Sequence, residues 1–394
     1  MKILNKIAIS LIRVYQKTLS SHTGIFKDIL YDKPVCAHHP HCSKYSKECF
    51  QRYNFINWLK YTMNRISKCT PSNQIKYDPS FYKIVFLSSA PIWIPFLEEL
   101  HKDERFDIVW IMTMPDAPSG RWQKLKANII KKWWIENMWE NFPIFTPEKV
   151  KNNKELETKL KELDADFFVV LAYWKILPKE ILDIPKLGPI NIHWSILPKY
   201  RWASPIQSVF LNKEKESWIT IMYMDEWMDT WDIIKILKIP LKKEDNTKTL
   251  IDKFIQYWPK FFVDTLWDFW KWELTRQKQN NEETTYCQKF TKQDGKIDFN
   301  QNAEDIYAQF QAFYLWPWIY TTWNDKQLNF TDIDFETKQI EAKKPWVVFQ
   351  ENWQTKIACK NWNIILKRVK LEWKKELAIQ DFINGHKEFL WSKL

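Results

Sequence analysis

The sequence predicts a mixed α/β protein. A doubly wound, parallel-sheet domain stands at its centre, a small helical domain before it and a small β-barrel after it. Three observations predict this. Between residues 82 and 274 short apolar runs alternate with helical stretches, the rhythm of strand–helix–strand units. Beyond residue 292 the apolar segments become short and strand-like. Residues 1–80 are rich in Lys, Arg, Cys and His and are mostly helical in pattern. The polar run Thr275-Arg-Gln-Lys-Gln-Asn-Asn-Glu-Glu-Thr-Thr285 reads as the start of a linker. The expected domains are therefore 1–80, 82–274 and 292–394, with a linker over 275–291.

The elements follow in chain order. Ile3, Ile7, Leu11, Val14 and Leu19 recur at helical spacing, with Lys2, Lys6, Arg13 and Lys17 between them. That is a basic amphipathic helix, suited either to a core or to an anionic membrane surface. Lys83-Ile-Val-Phe-Leu87 is a buried-strand run, followed by the helical Pro95-Phe-Leu-Glu-Glu-Leu100. Asp107-Ile-Val-Trp-Ile-Met112, Asp166-Phe-Phe-Val-Val-Leu-Ala172 and Pro189-Ile-Asn-Ile-His193 are further strands of the same kind. In open parallel sheets ligands bind at the carboxyl ends of strands, which is where His193 falls. Trp346-Val-Val-Phe-Gln350, Gln354-Thr-Lys-Ile-Ala-Cys359 and Asn363-Ile-Ile-Leu-Lys367 are the barrel strands.

Composition narrows the function classes. A chain of 394 residues has room for two or three domains, and its 45% hydrophobic content argues against disorder. The net charge of +11 favours an anionic partner such as nucleic acid or a membrane surface. Six scattered cysteines do not make a disulfide framework in a chain of this size, and a reducing cytoplasm suits them. No secretory signal or membrane-spanning run is expected.

The chain has 25 tryptophans and only five glycines. Glycine at about 7% would give roughly 28 residues. Tryptophan also stands in tight polar contexts: Tyr173-Trp174-Lys175, His193-Trp194-Ser195, Arg201-Trp202-Ala203 and Glu226-Trp227-Met228-Asp229-Thr230-Trp231-Asp232. Such contexts call for a residue without a side chain. Most of these positions are expected to be glycine, through a UGA codon read as glycine by the organism and translated here as tryptophan. Trp316 and Trp323 are expected to be genuine. A truly tryptophan-rich binding module would instead place its indoles beside apolar neighbours.

The chemistry concentrates in Asn191-Ile-His193-Trp-Ser195-Ile-Leu-Pro198-Lys-Tyr-Arg201 and in Met224-Asp-Glu-Trp-Met-Asp229-Thr-Trp-Asp232. Asn191 and His193 alternate on a strand, so they leave it on one face. An amide donor beside an imidazole stabilises a developing oxyanion, and a carboxylate such as Asp229 orients the imidazole and moves a proton. With no nucleophilic Ser or Cys beside them, these groups point to direct acyl-type transfer. A buried structural Asn–His pair is the alternative.

With glycine at the tryptophan positions, these segments closely resemble the signature of the methionyl-tRNA formyltransferase family. The resemblance extends to Ala172-Tyr-Trp-Lys-Ile-Leu-Pro178, to Pro115-Asp-Ala-Pro-Ser-Gly120-Arg121-Trp-Gln-Lys124-Leu and to Phe313-Tyr-Leu-Trp316-Pro-Trp318-Ile-Tyr320. It covers about residues 82–394. It implies a Rossmann-like formyltransferase domain and a C-terminal barrel of oligonucleotide-binding (OB) type. The implied catalytic trio is Asn191, His193 and Asp229, with Ser195, Ile196, Leu197 and Pro198 lining a 10-formyltetrahydrofolate site. Arg121 and Lys124 in one loop, and Lys367 and Arg368 in the barrel, are the implied contacts to initiator methionyl-tRNA. No metal is implied. One departure is Ser88-Ser-Ala-Pro91, where the family has Gly-Thr-Pro followed by an acid.

Residues 1–80 resemble the YidD family of membrane protein insertion efficiency factors, through Cys36, Pro40, Cys42, Ser43 and Tyr45, with His38 and His41 as departures. That resemblance implies a peripheral place on the cytoplasmic face of the plasma membrane. A metal site at these Cys and His residues is disfavoured, because the Cys36–Cys42 spacing is not that of a zinc pair. Two rivals stand beside the tRNA reading. One is a formyltransferase acting on a nucleotide sugar or small amine. The other is a catalytically dead membrane-surface scaffold, which follows if the tryptophans are real.

Overall fold

The computed structural model describes residues 2–20, 25–26, 38–52, 55–67, 76–119, 124–138, 142–226, 230–270, 274–337 and 344–394. The chain divides into two compact units, residues 1–190 with 259–275, and residues 191–258 with 276–394.

The first unit begins with helices α1 (Lys2–Thr18), α2 (Cys42–Arg52) and α3 (Phe55–Ser67). A two-residue parallel pairing joins β1 (His38–His39) to β2 (Lys76–Tyr77). The pin of this module is Arg65, whose side chain is 1% exposed. Its guanidinium bonds the carbonyls of Pro40 and Asp78, pairs with the Asp78 carboxylate at 2.9 Å and stacks 4.2 Å from the Tyr45 ring centroid. Burial pushes the neighbouring Tyr45 phenol well above its usual range and the Cys49 thiol up to about 12, so both stay neutral. Helix α3 is partly inside-out: Thr62 and Arg65 face inward beside Trp58 and Tyr61, which pack on Tyr45 and Cys49, while Phe55, Ile56, Leu59, Met63 and Ile66 are exposed.

The rest of the first unit is a parallel sheet in the order β8 (Phe167–Leu171), β3 (Tyr82–Ser88), β4 (Phe106–Met112), β7 (Ile144–Phe145). Its strands are apolar along nearly their whole length because both faces are covered. Ile84, Val85, Phe86, Phe167, Phe168 and Val169 are all 0% exposed. Helices α4 (Ile94–Lys102), α5 (Ile129–Asn137) and α6 (Lys154–Glu162) connect the strands, and the short α7 (Lys179–Leu182) follows β8. Asn128 and Asn153 accept hydrogen bonds from backbone N–H groups at the starts of α5 and α6. A short hairpin of β5 (Ala117–Ser119) and β6 (Lys124–Lys126) lies between β4 and α5.

The chain enters the second unit along β9 (Gly188–His193). The unit holds β10 (Arg201–Trp202), helix α8 (Pro205–Leu211) and the antiparallel pair β11 (Glu216–Tyr223) and β12 (Asp232–Pro240). Helix α9 (Thr247–Trp270) returns to the first unit at Pro259. The strands of the C-terminal β domain pair antiparallel, with one parallel bridge from Lys296 to Tyr320. Its order is β14 (Ile319–Trp323), β15 (Lys326–Phe335), β18 (Asn363–Leu371), β17 (Gln354–Ala358), β16 (Val348–Glu351), with β19 (Glu376–Ala378) beside β18. Helix α10 (Ala303–Ala312) packs on this sheet, and α8 packs on α10. Phe210 of α8 and Leu250 of α9 join the β domain's own core, which includes Phe299, Phe330, Ile357 and Val369.

Candidate active site

Strand alternation builds the first part of the site. Ile190 and Ile192 point inward, at 0% and 5% exposure, while Asn191 and His193 lie half-buried on the other side of β9. The His193 Nε2 atom is 3.0 Å from the Tyr200 carbonyl oxygen. A carbonyl only accepts, so Nε2 carries the hydrogen and Nδ1 keeps its lone pair in the neutral ring.

Tyr200 is itself fixed. Its backbone is left-handed, at φ 61°. Its N–H donates to Thr285 Oγ1 at 2.9 Å, its hydroxyl donates to Glu214, and Asn212 donates to that hydroxyl at 3.2 Å. Burial, with the Glu214 carboxylate beside it, pushes the phenol up to about 12, so it remains a neutral donor.

The segment Ser195–Pro198 follows directly. Thr220, fully buried in β11, clamps it: the threonine hydroxyl donates to the Ser195 carbonyl at 2.6 Å and accepts from the Leu197 N–H at 3.3 Å. Leu197 packs on Met222, Trp231 and Ile233, and Ile196 on the cluster of Tyr200, Val209, Trp218 and Cys287. The Ser195 hydroxyl is buried and meets no protein partner among the described residues. An orphaned hydroxyl next to His193 fits a polar ligand group in this loop. Trp194 lies with its ring centroid 3.8 Å from that of Phe254. Thr220 and Tyr200 escaped the sequence reading. The only signal for Thr220 is a hydroxyl in the middle of the buried run Trp218-Ile-Thr-Ile-Met222.

The other expected site residues divide. Asp229 and Arg121 lie outside the described residues, as do Trp227, Trp122 and Cys36. Lys124 opens β6, paired in register with Ser119. Lys367 and Arg368 are adjacent and both exposed on β18. A register shift between Phe330 and Ile333 on the partner strand allows this, since a bulge re-aims side chains that strict alternation would send to opposite faces. Each cation is paired on its own surface, Lys367 with Asp334 at 3.4 Å and Arg368 with Glu376 at 2.8 Å. Among the described residues no group of three or more His, Cys, Asp or Glu is placed to hold a metal ion.

The polar stretch 275–291, expected as a linker, is bonded along its length into the second unit. Gln277 forms a bridge with Ile233, Gln279 donates to the Trp231 carbonyl at 2.7 Å, and β13 (Tyr286–Cys287) pairs in parallel with β10. Arg201, 3% exposed, donates to Gln279 Oε1 at 2.7 Å and Asn281 Oδ1 at 2.9 Å.

Comparison with known proteins agrees with this architecture. A formyl transferase family model matches residues 82–266, a model of the formyl transferase C-terminal domain matches 289–387, and the YidD model of membrane protein insertion efficiency factors matches 4–81. The methionyl-tRNA formyltransferase of Clostridioides difficile strain 630 is 34% identical over 308 residues, covering 77% of this chain and 97% of the relative. That of Clostridium acetobutylicum is 33% identical over 304 residues, covering 77% and 96%. Among solved structures, the sugar 3N-formyl transferase WlaRD, determined in the presence of dTDP and 5-N-formyl-THF, aligns with a TM-score of 0.52 at 20% identity, over 75% of this chain and 99% of its own. HypX from Aquifex aeolicus aligns with a TM-score of 0.50 at 12% identity, over 80% and 52%. At these identities the two structures speak to the fold.

Proposed function

We propose that this chain, which belongs to the methionyl-tRNA formyltransferase family, transfers a formyl group from 10-formyltetrahydrofolate to the α-amine of initiator methionyl-tRNA. The observation that carries the assignment of the site is the shared face of Asn191 and His193 beside a loop locked by Thr220. The co-substrate supplies a formyl carbon already activated on nitrogen. Asn191 donates a hydrogen bond to the formyl oxygen as it gains charge. His193, its tautomer set by the Tyr200 carbonyl, presents Nδ1 toward the reacting groups as a proton acceptor. The α-amine attacks the formyl carbon and gives up its proton with Asp229 assisting His193; that proton passes to the folate nitrogen as its bond to the formyl carbon breaks, and tetrahydrofolate leaves. Ser195 to Pro198 bind the folate, and Arg121, Lys124, Lys367 and Arg368 bind the tRNA backbone.

The test is formyl transfer by the purified full chain, offered charged initiator tRNA in one reaction and free amines or amino sugars in another. Formylated methionyl-tRNA is the expected product. Transfer to free amines alone would overturn the tRNA assignment.

A second reading concerns location. The protein works in the cytoplasm and rests against the anionic inner face of the plasma membrane. The partly inside-out helix α3 supports this, with Phe55 63%, Ile56 76%, Met63 57% and Ile66 51% exposed on one side and Lys60 beside them. Among the described residues no helix is long and apolar enough to cross a membrane. Sedimentation with vesicles of anionic and of neutral lipid tests it. Binding to the anionic vesicles that weakens when Phe55 and Ile56 become Ser is expected, and equal absence from both vesicles refutes it.

A further inference from the structure

Fourteen non-glycine residues among those described have a left-handed backbone. Five are Asn or Asp, the residues that tolerate this region. Six are tryptophan: Trp202 at φ 81°, Trp318 at 66°, Trp346 at 78°, Trp353 at 61°, Trp373 at 61° and Trp391 at 66°. A left-handed L-residue crowds its Cβ against the following carbonyl, and glycine alone escapes this. Tryptophan has no local hydrogen bond with which to compensate.

Trp202 meets Tyr286 and Trp346 meets Phe299, with ring centroids 4.8 and 5.1 Å apart, but other indoles stand largely in solvent. Trp353 is 96% exposed, Trp373 92% and Trp391 68%. Trp353 is especially informative. Asn352 at φ 50° and Trp353 at φ 61° form the two-residue loop between β16 and β17, where Glu351 pairs with Gln354. Two left-handed central residues define a type I′ hairpin turn, whose preferred sequence is Asn-Gly. Trp323 gives the contrast: it is 6% exposed, has no left-handed backbone, and packs edge-on against Phe382 and Phe389 at 5.6 and 5.4 Å.

We infer that the chain made in its own cell carries glycine at positions 202, 318, 346, 353, 373 and 391, through a UGA codon that this cell reads as glycine. The backbone separates these positions from Trp323, which is encoded as tryptophan. Sequence context already sets Trp202 apart from Trp323, and the conformation at each residue extends the assignment to positions such as 353 and 373. The inference does not depend on the reaction catalysed.

The test is tandem mass spectrometry of tryptic peptides from the protein purified out of the cell that makes it. The peptides are 202–213, 297–326 and 344–356. Glycine is expected at 202, 318, 346 and 353, with tryptophan retained at 323 inside the same peptide as 318. Tryptophan at any of those four positions overturns the inference, and glycine at 323 overturns the conformational criterion. A second measurement needs no native source: the full chain is made with glycine at all six positions and with tryptophan at all six. The glycine chain is expected to melt several degrees higher, and an equal or lower melting temperature refutes the argument from backbone strain.

Discussion

Thr220→Val removes one hydroxyl from a fully buried position. Two backbone groups then lose their partner, the Ser195 carbonyl, bonded at 2.6 Å, and the Leu197 N–H, bonded at 3.3 Å. Each unsatisfied buried group costs about 1–3 kcal/mol, so holding the 195–198 segment in place costs about 2–6 kcal/mol. The segment escapes part of this by shifting toward other partners. Ser195 and Pro198 then move relative to His193, and a misplacement of about 1 Å lowers a rate on the order of 10²-fold. The assay is initial-rate formyl transfer to charged initiator tRNA with folate varied. The expected result is a kcat/KM for folate about 10²-fold lower, with most of the loss in KM, and a melting temperature only a few degrees down. Thr220→Ser keeps the hydroxyl and recovers most of the activity. Activity of Thr220→Val within twofold of the parent, at the parent's melting temperature, would refute the clamp.

Four further outcomes are expected. Asn191→Ala lowers kcat by about 10²–10³ with KM nearly unchanged, as for loss of an oxyanion donor, and His193→Ala falls by a similar factor; rates near the parent's remove both from the mechanism. Asp245 titrates below the usual carboxylate range: burial works against this, but the Lys242 N–H, Lys253 and Thr249 outweigh it. A depressed folded-state value makes its stabilisation complete above pH ~4 and lost as pH falls through the folded value, so Asp245→Asn flattens the melting profile below pH ~4 and lowers it at neutral pH. Arg65→Met takes the donors from the carbonyls of Pro40 and Asp78, at about 1–3 kcal/mol for each group left unsatisfied, and destabilises residues 42–52 and 55–67, visible as faster amide exchange there. Lys367→Ala and Arg368→Ala each weaken tRNA binding alike for different tRNA sequences and reduce the salt slope by about one.

The parallel strands were the most legible part of the fold. Lys83–Leu87, Asp107–Met112 and Asp166–Ala172 fall within a residue of β3, β4 and β8, because a strand covered on both faces is apolar without interruption. The shared face of Asn191 and His193 was legible for a related reason: period-two alternation needs no knowledge of neighbours. What tertiary structure imposes stayed hidden. Thr220 bonds a loop 23 residues away, and nothing in its own strand announces a partner. Arg65 lies inside and Phe55 outside on one helix, the reverse of what an amphipathic reading assumes. The stretch 275–291 looks like a tether because it is polar, yet its polar side chains are what bond it down.

That bonded stretch changes how the β domain relates to the loop that carries His193. Residues leading into the C-terminal β domain begin by pairing with Arg201, eight residues beyond His193. Arg201 bonds Gln279 and Asn281, Gln279 bonds the Trp231 carbonyl, and Thr285 bonds the N–H of the same Tyr200 whose carbonyl orients His193. At the other end α8 buries Phe210 in the β domain's core, and Lys213 pairs with Asp305 of α10 at 2.5 Å. The β domain is therefore joined to the loop that carries His193 by two independent sets of contacts. A flexible tether would let the β domain hold a large nucleic acid while its reactive end wandered by many ångströms. These contacts remove that freedom before binding, so on the proposed mechanism the fold itself supplies ordering that brings an amine within reach of the formyl carbon.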